Sequence, residues 1–140
     1  MNCHLTPIRL VRQENRSSGC GPACLAMVAH VEYADAVRAI FNDARTRSLR
    51  TFWPDIRRGL RALGVEFAPR IHRHRSWSGI TGLSIVKCGV NRDGTWHWVV
   101  YDARCVRLGQ LGLVYDPLRK APARPDGRWR SVCSHLPVFR

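Results

Sequence analysis

The hydrophobic positions fall into two regimes. Up to Gly64 they recur mainly at helical spacing. Beyond it they alternate or cluster in short runs containing Val and Ile. Residues 1–19 show little periodicity and read as an extended arm ending in a Ser17-Ser18-Gly19 turn. Gly21-Pro22 then opens a helix, because proline suits the first turn, where its missing N–H has no partner to lose. The run Ala23-Cys24-Leu25-Ala26-Met27-Val28-Ala29-His30-Val31 is apolar nearly all round, which predicts a helix enclosed on several sides. A shorter helix is expected over Ala34–Phe41, with Val37, Ile40 and Phe41 as its apolar face. Pro54 starts a third. Ile56, Leu60 and Leu63 share one side, Arg57, Arg58 and Arg61 the other, and Gly64 supplies the stop.

After Gly64 the pattern becomes extended. Val65–Ala68 alternates, Leu83–Cys88 reads as a strand, and Asn91-Arg92-Asp93-Gly94 signals a turn. Trp96–Tyr101 and Leu111–Tyr115 are further strands. Pro117 to Arg140 holds four prolines and reads as mostly loop, with a short strand at Trp129–Val132. Helices first and antiparallel strands afterwards predict an α+β domain. There is no internal repeat and no low-complexity linker.

The length of 140 residues fits one domain, here taken as 1–140, with 1–12 as an arm and 118–140 as a basic, Pro-rich tail. No apolar run approaches the ~20 residues that span a bilayer. Met1–Gln13 is broken by His4, Pro7, Arg9 and Arg12 and lacks the apolar core of a signal peptide. The expectation is therefore a bacterial cytoplasmic protein without membrane insertion, with export left only to a specialised system. The formal net charge is +13, and all basic residues except Lys87 and Lys120 are Arg. That excess suggests an anionic partner or an Arg-rich coding bias.

Cys3, Cys20, Cys24, Cys88, Cys105 and Cys133 form no Cys-x-x-Cys pair and no regular disulfide framework. Cys20 and Cys24 share a helix face, but a structural zinc site needs further clustered ligands. His72 and His74 lie in an Arg-rich stretch and are expected to face solvent. No metal and no cofactor is expected, and most of the cysteines are read as small apolar residues in a reduced protein.

Cys20 differs from the other cysteines. It stands at the start of the apolar helix, where free N–H groups and the helix dipole stabilise a thiolate, the reactive form. Gly19 and Gly21 keep both flanks small, so a substrate backbone can come close. A nucleophilic thiol needs a base, and the base an orienting group. His97, in Thr95-Trp96-His97-Trp98-Val99-Val100, begins a strand just after a turn, and Asp116 follows the strand Leu113-Val114-Tyr115. Neighbouring strands would bring Asp116 to His97. The plain alternatives are a packed thiol, a packed histidine and a turn-forming Asp-Pro.

These residues resemble the papain-like cysteine peptidases of the bacteriocin-processing type, which remove double-glycine leader peptides and are often fused to an ABC exporter. The resemblance runs from about Gln13 to Pro117. It rests on Cys20-Gly21-Pro22-Ala23-Cys24-Leu25-Ala26-Met27-Val28, on the Trp53–Gly64 helix and its following strand, on His97-Trp98-Val99-Val100, and on Asp116-Pro117. It implies a papain-like fold with N-terminal helices packed on a C-terminal antiparallel sheet. Cys20 would be the nucleophile, His97 the general base and acid, and Asp116 the residue orienting the imidazole. It also implies a glutamine in the oxyanion hole, six residues before the cysteine. Here Gln13 stands seven before it, and position six holds Glu14, which when ionised only accepts hydrogen bonds. An extra residue in the Arg16–Gly19 loop would restore Gln13 to the role, and Asn15 is the weaker donor. The residue before the cysteine is Gly19, where the family often has Asp.

The expected activity is hydrolysis of a peptide bond in a peptide or protein substrate through a thioester, with leader-peptide processing as one form of it. An ABC exporter or a secretion system is the partner the resemblance brings. The same triad serves papain-like deamidases, acyltransferases and related toxins or effectors. A basic nucleic-acid-binding or nuclease module is the third reading, with Arg70–Arg75 and Arg119–Arg130 as clusters and Trp77 and Trp129 as stacking platforms. No nucleic-acid motif accompanies them, and a solvated Arg-rich face is preferred. A docking domain without catalysis would be expected to lack Cys20. The charge also fits an acidic substrate drawn to a basic cleft rim at Arg73, Arg75 or Arg119.

Overall fold

The structure is a computed structural model that describes residues 5–14, 18–41, 49–73, 76–89, 92–107, 109–125 and 132–140. Among the described residues three α-helices, α1 (Cys20–Ala29), α2 (Tyr33–Phe41) and α3 (Trp53–Ala62), precede five strands. These are β1 (Glu66–Phe67), β2 (Gly82–Cys88), β3 (His97–Ala103), β4 (Leu113–Tyr115) and β5 (Val132–Phe139). The strands form one antiparallel sheet in the order β1-β5-β2-β3-β4. The α+β expectation is met in this form.

All ten residues of α1 are buried, as its all-round apolar sequence requires. Helices α2 and α3 pack on it, and the sheet closes its remaining side through β3. Gly59 lets α3 come close, because a Cβ there would lie 2.4 Å from Leu25 Cδ1. The Arg58 guanidinium donates to the Ile40 carbonyl at 2.9 Å and satisfies the C-terminal end of α2. One sheet face carries Leu83, Ile85, Trp98, Val100, Leu136 and Val138 into the same core as the helices. The other face buries Val86, Val99, Tyr101 and Val114 under Trp77 and Ile80.

The tail differs from the expectation. Val132–Phe139 is an eight-residue strand lying between β1 and β2, not a loop. Pro137 hid it, since proline ordinarily belongs on sheet edges. Its side of β5 faces β1, which is only two residues long. There the Pro137 carbonyl accepts from Ala68 N–H, and the missing donor breaks no long ladder. Residues 129–131 of the expected short strand lie outside the described residues. Among the described cysteines, Cys20, Cys24, Cys88 and Cys133 are free thiols, whereas Cys105 is disulfide-bonded. That departs from the reduced reading; spacing along a chain does not say which thiols meet in space. Trp77 is buried against Tyr101, 5.1 Å between ring centroids, and so offers no face for base stacking. Trp129, Arg75 and His74 lie outside the described residues. No described helix is long and apolar enough to cross a membrane.

Arg140 holds the end of α1. Arg140 donates through Nε to the Val28 carbonyl at 3.0 Å and through Nη2 to that of Ala29 at 2.9 Å. These are orphan acceptors at the C-terminal end of α1, where a cation also complements the dipole. Arg104 steadies the same corner, paired with Asp102 and donating to the Arg140 carbonyl at 3.2 Å. Replacing Arg140 by Ala should lower unfolding stability by about 1–2 kcal/mol in urea titration. An unchanged midpoint would mean that solvent serves these carbonyls equally well.

Candidate active site

The N-terminus of α1 and the ends of β3 and β4 meet at one point. Cys20 is the first residue of α1 and is 8 % exposed. Gly19, the residue before the helix, makes no side-chain cap, so the first-turn N–H groups keep their partial positive charge beside the thiol. Gly21 is required by contact. A Cβ there would lie 2.0 Å from Oγ1 of Thr51, a buried side chain wedged against the helix start. Ser18 accepts from Leu49 N–H at 3.0 Å and ties the approach to α1 to the segment leading into α3.

His97 opens β3, and Asp116 follows β4, two strands that pair in register from Val100 with Tyr115. The pairing brings the two side chains together out of water: His97 Nε2 and Asp116 Oδ1 are 2.6 Å apart, and both residues are 7 % exposed. With Nε2 held by the carboxylate, Nδ1 is left to face the thiol, and the Cys20 side chain is hydrogen-bonded to the ring. Burial works against the imidazolium. The bond and charge of Asp116 and the bond to Cys20 outweigh it, and the His97 pKa is raised to about 9. Burial likewise works against the Asp116 carboxylate. The bond and charge of His97, the Leu118 N–H at 2.9 Å and the Arg119 guanidinium prevail, and its pKa is lowered. The site thus favours a charged imidazolium between a carboxylate and a thiol.

Two further thiols lie close by. Cys24, one turn along α1, has its pKa raised by burial and by its neighbours, which keeps it a neutral packed thiol. Cys88 donates to the His97 carbonyl at 3.5 Å and supports the histidine from below. Gln13 reaches the site through its backbone, its N–H donating to the Pro117 carbonyl at 3.2 Å beside Asp116. It is half-buried with Oε1 enclosed, whereas Glu14 is exposed. Residues 15–17 of the intervening loop, with Asn15 and Arg16, lie outside the described residues.

The structure therefore brings Cys20, His97 and Asp116 together and places Gln13 beside Asp116. Of the arginines considered as a basic rim, Arg119 is 3.7 Å from Asp116 Oδ2, and Arg73 lines a groove with Lys87 and Trp53. Thr51 and Cys88 had no signal in the sequence, because their roles come from contacts across the fold. Among the described residues no three His, Cys, Asp or Glu side chains are grouped to hold a metal ion. No protein-family model matches the chain, and neither does any curated protein.

Two measurements follow from the geometry. His97 has its pKa raised from 6.5 to about 9 by folding, so its stabilising contribution is complete below pH 6.5 and is lost as pH rises through 9. Asp116 contributes above pH 3.8 and loses its contribution as pH falls through its lowered folded value. Urea midpoints should fall from pH 6 to pH 9.5 more steeply in the native chain than in Asp116→Asn. Parallel curves would contradict the coupling. Gly21→Ala should cost about 1–3 kcal/mol through its clash with Thr51. Pairing it with Thr51→Ala should recover part of that loss, and strictly additive losses would remove the contact as the cause.

Proposed function

We propose that the chain is a cysteine peptidase of papain-like design that cleaves a peptide bond in a peptide or protein substrate. The observation that carries the reading is the 2.6 Å bond from His97 Nε2 to Asp116, which leaves the other ring nitrogen to the Cys20 thiol at a helix N-terminus. A resting structural histidine needs no such pair of partners. The sequence likeness to the bacteriocin-processing peptidases supports the same assignment and suggests leader-peptide processing as its form.

In this reading His97 stands protonated beside the Cys20 thiolate, and the thiolate Sγ attacks the scissile carbonyl carbon. The carbonyl π electrons move to oxygen. The Cys20 N–H and the Gln13 side-chain amide hold that oxyanion. The C–N bond breaks, the amine leaves with the proton from His97, and a thioester remains on Cys20. Water then gives a proton to His97 and attacks the thioester, and the C–S bond breaks to free the acid and restore the thiolate beside the protonated His97. Asp116 stays ionised throughout and keeps Nδ1 aimed at sulfur.

Incubation with a peptide library, read by mass spectrometry, tests this. Chain scission is expected, lost in Cys20→Ala and His97→Ala, and reduced about 10²–10³-fold in Gln13→Ala. The rate should hold up to an alkaline limb near pH 9, where His97 loses its proton. A one-dalton gain without scission would assign deamidation instead. Full activity in Cys20→Ala would end the proposal.

A further inference from the structure

A groove of about 760 Å³ opens where the start of α3 meets the ends of β2 and β5. Its volume lies within the roughly 300–1,000 Å³ of sites that enclose small ligands or short peptide segments. Trp53 and Ile71 supply apolar wall, and Arg73 and Lys87 supply two cations with no lining carboxylate among the described residues. Neither cation has an ion-pair partner among the described residues.

The groove adjoins the candidate site. In the β2–β3 ladder Lys87 stands opposite Trp98 and Cys88 opposite His97, one register step away. The Lys87 ammonium lies 4.2 Å from the centroid of the Trp96 ring, the residue just before His97. Trp96 in turn meets the exposed Phe52 ring at 5.0 Å. Trp53 is fixed from behind by Trp98, 4.6 Å between centroids, and by its N–H bond to Ser134 Oγ at 3.2 Å. Two contacts therefore hold the Trp53 ring in place.

We propose that this groove is a substrate-specificity site that takes an acidic segment of the peptide chain, with a Glu or Asp carboxylate at Arg73 and Lys87 and a neighbouring aliphatic side chain against Ile71 and Trp53. It deepens the peptidase reading and rests on it. Charge complementarity selects the acidic residue, because two cations beside apolar wall, with no ion-pair partner among the described residues, gain most from a carboxylate. A nucleic acid would need open ring faces for its bases. Trp96 instead carries the Lys87 ammonium on its ring.

The test uses Cys20→Ala protein, so that binding is read without turnover. A short fluorescein-labelled peptide of Glu and Leu residues, its Gln-for-Glu counterpart and a single-stranded RNA are compared by fluorescence anisotropy. The acidic peptide should bind about tenfold or more tightly than the Gln peptide. Arg73→Gln and Lys87→Gln, both near the surface and checked for folding by circular dichroism, should each remove much of that difference. Equal affinity for the two peptides, or a preference untouched by both variants, would overturn the proposal. So would RNA binding more tightly than the acidic peptide through the same two residues. Scission by the native chain is read separately. Its absence would sink the peptidase reading, while scission indifferent to acidic residues would sink only this site.

Discussion

Enclosure of α1 is the constraint on which the rest depends. A helix that is apolar all round cannot rest on a surface, and here α2, α3 and the sheet enclose it. Enclosure fixes the helix axis. A fixed axis aims the positive N-terminal end, and the Cys20 thiol on it, at one place. The opposite end is held as firmly, by Arg140 on the Val28 and Ala29 carbonyls. Arg140 thereby helps to set the position of a thiol at the other end of α1.

The second requirement is that His97 and Asp116 meet out of water. Two adjacent strand ends do this cheaply, since the ladder already aligns their backbones. Once together, each favours the charged form of the other against the cost of burial. The pair combines structure and chemistry: the bond that holds the strand ends also fixes which ring nitrogen faces sulfur.

Much of this was legible in the residues. The periodicity of α1 and α3 and the alternation of β2 and β3 follow from burial, and burial follows from side-chain type. Cys20, His97 and Asp116 could be picked out because each stands at the end of an apolar element, where a reactive group can meet substrate. β5 was not legible, because Pro137 and a buried His135 break the pattern of a strand whose place is secured by its neighbours. Thr51 and Cys88 were invisible for a related reason: what they do depends on Gly21 and His97, which reach them only in space. The net charge pointed first to nucleic acid. Trp77 is packed inside, and the cations Arg73 and Lys87 line a groove beside the site.

The central claim is that His97, held by Asp116, activates the Cys20 thiol. Its most direct test is the rate of Cys20 alkylation by iodoacetamide at neutral pH, followed by peptide mass spectrometry. The account predicts that Cys20 reacts faster than the more exposed Cys133 and that His97→Ala slows it by about tenfold or more. Cys20 reacting more slowly than Cys133, at a rate indifferent to His97, would contradict it.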